Sequence, residues 1–118
     1  MPLMTTNLKT MCDQPVSIDQ KRHILFGAAS GLSALHGVGI AHCDIKLENI
    51  LIDEHYIPRV ADFGLSGGMR GAGTDTYKAP EHWVQTLPFT PSIADAWSFG
   101  VLCYRFLESA PFITDSHL

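Results

Sequence analysis

A chain of 118 residues, 46% of them hydrophobic and 17% charged, is long enough for one domain with a modest core. Its net charge of −4, with acidic and basic residues interspersed and no basic run, argues against nucleic acid as a partner. No apolar stretch reaches the length of a membrane span, no charged-then-apolar leader opens the chain, and Cys12, Cys43 and Cys103 stand far apart without a C-x-x-C. The expectation is an intracellular, cytoplasmic protein with reduced thiols and no membrane contact. The six His residues are dispersed, and none pairs with a Cys or another His at zinc spacing.

In chain order, the spacing first predicts a short helix over Asn7-Leu8-Lys9-Thr10-Met11, with Asn or Thr available to cap it. Pro15-Val16-Ser17 then opens a long helix, and Ser17 with Gln20 makes a capping-box signature. Ile18, Leu25, Ala28, Leu32 and Leu35 form one apolar stripe. Gly27 and Gly31 weaken this helix by about 1 kcal/mol each relative to Ala, so packing must hold it. Gly37 or Gly39 ends it. Ile50–Ile52 and Arg59–Ala61 flank the polar stretch Asp53–Tyr56 and read as a hairpin. Leu65–Lys78, with Gly67, Gly68, Gly71 and Gly73, reads as a permissive loop. Pro80 opens a short helix, Leu87-Pro88-Phe89-Thr90-Pro91 is a loop, and Ser92 is expected to cap a helix running to about Glu108. That last helix is apolar on every face, which predicts that it is buried. Asp95, in its expected first turn, is then the odd residue: a buried carboxylate must be paired or hydrogen-bonded. A plain first-turn aspartate, favoured by the helix dipole, is the simpler alternative.

The stretch His42–Gly64 carries the chemistry. It places Asp44, Lys46 and Asn49 within one loop, follows them with the apolar run Ile50-Leu51-Ile52, and then sets Asp62 before Phe63-Gly64. Asn49 and Asp62 are hard oxygen donors that suit Mg²⁺ accompanied by substrate phosphate. A carboxylate beside a lysine suits a transferring phosphoryl group and the hydroxyl that attacks it. Taken singly, each of these is an ordinary polar loop residue; the set, in this order and spacing, is not.

The pattern H-x-D-x-K-x-x-N from His42 to Asn49, then Asp62-Phe63-Gly64, then Gly73-Thr74-Asp75-Thr76-Tyr77-Lys78-Ala79-Pro80-Glu81, resembles the catalytic half of a eukaryotic-type protein kinase, and nearly the whole chain is covered. The resemblance implies a mainly α fold with short β-hairpins (α+β). This would be a partial protein-kinase catalytic domain over 1–118, comprising the large C-terminal lobe without the small lobe or the C-terminal helices. It implies ATP and Mg²⁺ as cofactors and a protein as substrate. Asp44 would accept or orient the substrate hydroxyl proton, Lys46 would neutralise the transferring phosphoryl, and Asn49 and Asp62 would hold Mg²⁺. Leu51 would floor the adenine, and Thr74 and Tyr77 would shape the pocket beside the accepting residue. His42, Phe63, Glu81 and Asp95 would be structural supports, with Asp95 accepting backbone N–H bonds near His42 and Cys43. Lys46 and the Gly73-Thr74 pair resemble the serine/threonine class. Cys43 stands where the family usually has an arginine, which argues against switching by phosphorylation of the Leu65–Lys78 loop.

The sequence holds no G-x-G-x-x-G and no Val-Ala-x-Lys strand. Losing three charge-assisted phosphate contacts would weaken ATP binding by roughly 5–9 kcal/mol. The expectation is therefore that these residues alone are weakly active or inactive, and that a partner supplying a small lobe would restore transfer. The alternative is a catalytically inactive, kinase-like scaffold.

Overall fold

The computed structural model describes residues 4–61, 73–84 and 86–109. Among these the chain runs β1 (Met4–Asn7), α1 (Leu8–Met11), α2 (Ile18–Gly37), β2 (Ile50–Asp53), β3 (Pro58–Val60) and α3 (Pro91–Glu108), with single 3₁₀ turns at Leu47–Asn49, Asp75–Tyr77 and Pro80–His82. The architecture is mainly helical, with one antiparallel sheet in the order β1-β2-β3. No helix among the described residues is long and apolar enough to cross a membrane.

Asn7 ends β1 and also caps α1: its backbone is extended, and its side-chain oxygen accepts the Thr10 N–H at 2.9 Å. The strand before it was not legible. Four residues, Met-Thr-Thr-Asn, are too few to show a period, and pairing with β2 (Asn7 opposite Leu51, Thr6 opposite Ile52) makes the strand. Ser17 caps α2 as expected, its hydroxyl accepting the Gln20 N–H at 3.1 Å. Of the expected stripe, Leu25, Ala28 and Leu32 are buried, whereas Ile18 and Leu35 are half-buried; Ile24 and Lys21 complete the inner face. Gly27 has a packing reason, because a Cβ there would stand 2.8 Å from Pro58 Cγ on β3. At that position a side chain would push the helix off the sheet. In the β2–β3 turn, Asp53 accepts the N–H groups of His55 (2.8 Å) and Ile57 (2.9 Å). The Ile57 bond is the leading reason that its carboxyl lies below the usual carboxylate range.

α3 corrects two expectations. Its cap is Thr90, with Pro91 at the first helical position, so Ser92 lies inside the first turn and Asp95 is the fifth residue, just beyond it. The dipole argument for Asp95 therefore loses most of its force. The helix is also not buried all round: Ile93, Trp97 and Tyr104 are 62%, 51% and 68% exposed. Within the described residues α2 and the Asp75–Tyr77 turn pack on one side, burying Ala94, Asp95, Leu102 and Phe106. Leu102 and Phe106 join Leu8, Met11, Ile24, Ile50 and Ile52 in one core. Each such side chain contributes about 1.5–3 kcal/mol on burial.

Lys21 is the unexpected member of that interior. It is fully buried, and its Nζ donates to Phe106 O (2.9 Å), Ser109 O (3.1 Å) and Ser109 Oγ (2.9 Å), tying α2 to the end of α3. Its ammonium also lies 5.2 Å from the Phe106 ring centroid. Burial pushes this lysine below the usual range, partly opposed by Cys12.

Candidate active site

The loop from His42 to Lys46 joins α2 to the sheet and is pinned at both ends. The His42 ring is buried: its Nδ1 accepts the Asp44 N–H at 3.1 Å, so Nε2 carries the proton and donates to Ala61 O. That pattern fixes a neutral tautomer, and it ties the loop to the residue following β3. Ala61 N in turn donates to Asn49 O at 2.9 Å.

Asp95 holds the middle of the loop. Only 2% exposed, it accepts the Cys43 N–H on Oδ1 (2.8 Å) and the His42 N–H on Oδ2 (2.7 Å), and Oδ2 also meets His36 Nε2 at 2.9 Å. Cys43 adopts φ +74°, a left-handed conformation that costs a non-glycine residue about 1–3 kcal/mol and persists only where surroundings impose it. Two charge-assisted bonds from this peptide region to one buried carboxylate supply that constraint.

Asp44 follows at once, its side chain 12% exposed. Oδ1 accepts the Thr74 hydroxyl at 2.8 Å; Oδ2 lies 3.5 Å from Lys46 Nζ and 3.4 Å from Asn49 Nδ2. Asn49 is buried on the 3₁₀ turn, and its Nδ2 donates to Asp44 O at 2.8 Å. This assigns the amide's orientation and leaves Oδ1 as its remaining acceptor. An amide oxygen is a hard donor of the kind Mg²⁺ takes. Asp62, the other expected ligand, and Phe63 lie outside the described residues, as do Met1–Leu3 and the loop over 65–72.

Thr74 belongs to a turn pressed against the His42–Lys46 loop. Gly73, at φ +101°, comes so close that a Cβ would stand 2.6 Å from Cys43 O. Tyr77 is buried: its carbonyl accepts the Ser98 hydroxyl of α3 at 2.7 Å, and Arg105 lies 4.5 Å from its ring centroid. Thr74 therefore touches Asp44 directly, while Tyr77 anchors the turn to α3. Leu51 is half-buried on β2, opposite Arg59 on one side and Asn7 on the other. Glu81 is half-buried in the Pro80–His82 turn.

Two residues at this site carried no local signal. His36 reads as one of six dispersed histidines, and its partner is 59 positions away. Gly73 reads as loop permissiveness, although its backbone approach to Cys43 is a specific requirement.

A carboxylate held by a threonine hydroxyl, a lysine and an amide, on a loop pinned by a buried helical aspartate, is the arrangement the protein kinase motif leads one to expect. The chain belongs to the protein kinase domain family, which it matches over residues 1–117. It is 33% identical over 111 residues to the probable serine/threonine-protein kinase PBL20 of Arabidopsis thaliana, covering 86% of this chain and 28% of that protein. To the serine/threonine-protein kinase PLK4 of Xenopus tropicalis it is 34% identical over 112 residues, 87% of this chain and 12% of the other. The cysteine-rich receptor-like protein kinase 42 of Arabidopsis thaliana is 42% identical over 97 residues, 70% of this chain and 14% of its own length. The chain thus spans 12% to 28% of these relatives.

Proposed function

We propose that these residues form the transfer half of a serine/threonine protein kinase site, moving the ATP γ-phosphate to a Ser or Thr hydroxyl of a protein substrate. The observation that carries this reading is the Asp44 carboxylate, shared between Thr74 from the turn beside the accepting residue and Lys46 and Asn49 from the catalytic loop. In this reading Asp44 orients the attacking hydroxyl and takes its proton, while Thr74 sets the carboxylate's plane. Lys46 offsets charge gathering on the transferring phosphoryl. Asn49 and Asp62 would hold Mg²⁺, which neutralises phosphate charge when bound. Leu51 would lie against the adenine.

Nucleotide affinity in this reading depends on a glycine-rich cover, contributed in cis or by a partner chain. The test is radiolabelled phosphate transfer to a generic Ser/Thr substrate, measured for the 118 residues with and without a small lobe supplied in trans. Transfer should be undetectable without the small lobe and appear with it, and Asp44→Asn should remove it. A second reading, a kinase-like scaffold, is favoured by the exposed Ile93, Trp97 and Tyr104 on α3. Failure of any added small lobe to elicit Asp44-dependent transfer would leave the scaffold reading standing.

A further inference from the structure

We propose that Arg105 of α3 determines substrate specificity, receiving an anionic side chain (a carboxylate or a phosphorylated residue) a few positions from the accepting hydroxyl; the inference rests on the kinase reading of the same site. Three cations adjoin the turn that carries Thr74 and Tyr77, and two of them are already matched. Lys46 Nζ lies 3.5 Å from Asp44 Oδ2, and Lys78 Nζ lies 3.0 Å from Asp75 Oδ1. Arg105 is exposed and makes no ion pair among the described residues. Glu108, three residues further along the same helix, is at a spacing from which such a pair commonly forms. The guanidinium lies instead over the Tyr77 ring, 4.5 Å from its centroid.

That stacking prepares the group for a ligand. Attraction to the π face of a buried ring holds a planar guanidinium in one place. Its N–H donors point out along the plane of the group, where a carboxylate or phosphate takes two at once. Tyr77 also ties this cation to the transfer site. Its hydroxyl meets the Leu47 N–H at 3.5 Å, next to Lys46, and its turn follows Thr74, whose hydroxyl is 2.8 Å from Asp44 Oδ1. One ring and one turn therefore separate Arg105 from Asp44, on the order of 10 Å, which an extended peptide covers in about three residues. With the accepting hydroxyl on Asp44, an acidic residue at about that spacing meets Arg105. In a chain of net charge −4 an acidic peptide is otherwise repelled, so its acceptance depends on a local, unmatched cation.

The test uses Ser/Thr peptides carrying glutamate, phosphoserine, alanine or lysine at the second to fourth positions on either side of the acceptor. With a small lobe supplied, KM for the best-placed acidic peptide should be about 3- to 10-fold below that for the alanine peptide, and the gap should narrow as salt is raised. Whichever of the glutamate and phosphoserine peptides has the lower KM names the anion. Arg105→Gln should erase the preference. Arg105→Glu should turn it toward the lysine peptides, an inversion that loss of a structural contact does not produce. Equal KM values for all peptides in wild type, or an acidic preference that survives in both variants, overturns the proposal. A second readout is independent of catalysis: the 118-residue protein is titrated with the glutamate peptide, its acceptor replaced by alanine, and the Arg105 Nε–H resonance is followed by NMR. The resonance should shift with this peptide and stay in place with the all-alanine one; an unmoved resonance overturns the proposal. If wild type shows no Asp44-dependent transfer to any peptide, the kinase reading fails by itself, and the titration still decides the role of Arg105.

Discussion

Replacing Gly73 with alanine should damage the site more than any other single methyl group among the described residues. The new Cβ would stand 2.6 Å from Cys43 O and 3.7 Å from Cys43 C, both backbone atoms with no flexible end to swing aside. Ordinary contact begins at 3.4 Å, so the two segments must separate by about 0.8 Å. Cys43 resists, because its N–H is bonded to the buried Asp95; the turn carrying Thr74 has to give instead. Moving Thr74 by that amount stretches its 2.8 Å bond to Asp44 to about 3.6 Å, beyond hydrogen-bonding range. Alanine at φ +101° adds a backbone cost of about 1–3 kcal/mol. Chemical denaturation should therefore show a loss of that order, and kcat in the small-lobe-supplemented assay should fall about 10- to 100-fold, as near-ångström misplacement of a reacting group does. A Gly73→Ala protein with wild-type stability and kcat within about threefold of wild type would refute the close approach and the role of Thr74 together.

Two further outcomes are expected. Asp95→Ala should cost about 3–5 kcal/mol, since it removes the acceptor of the buried His42 and half-buried Cys43 N–H groups; urea unfolding with an unchanged midpoint would contradict this. Lys21→Met should cost about 1–3 kcal/mol at neutral pH by leaving Ser109 O without its ammonium partner. Lys21 also sets a sign in pH. Its folded pKa lies below the unfolded 10.5, so in that window the unfolded chain binds more protons and stability rises with pH, flattening above 10.5. Lys21→Met should lack that rise, and a rise identical in the two proteins would assign it to another group.

Legibility followed the range of the interaction. Ser17 and Asn7 announce their helices because a cap and its target lie three residues apart, and the motif from His42 to Asn49 is readable because its members share one loop. Asp95 was conspicuous as a carboxylate among apolar neighbours, although its bonds reach back more than fifty residues. His36 and Lys21 gave no such contrast: histidine and lysine on a helix read as solvent-facing until the partner from α3 is in place. The same limit misjudged α3. A sequence apolar on every face says that partners are wanted, but it does not say on which side the described residues supply them. The four-residue β1 exists because β2 pairs with it, which no window of its own sequence contains.

The distance in sequence between Asp95 and its donors has a consequence for the order of events in a growing chain. The loop motif is complete once residue 49 has been made, but the carboxylate that shapes it arrives 52 and 53 positions after Cys43 and His42. Until α3 docks, the carboxylate that accepts the Cys43 N–H is not in place, and closing a segment of that length must be compensated by the core that α3 brings with it. The loop from His42 to Asn49 should therefore acquire its folded shape late, as a product of tertiary assembly. Any nascent or cleaved form ending before α3 would carry every residue from His42 to Asn49 and still lack the active-site geometry.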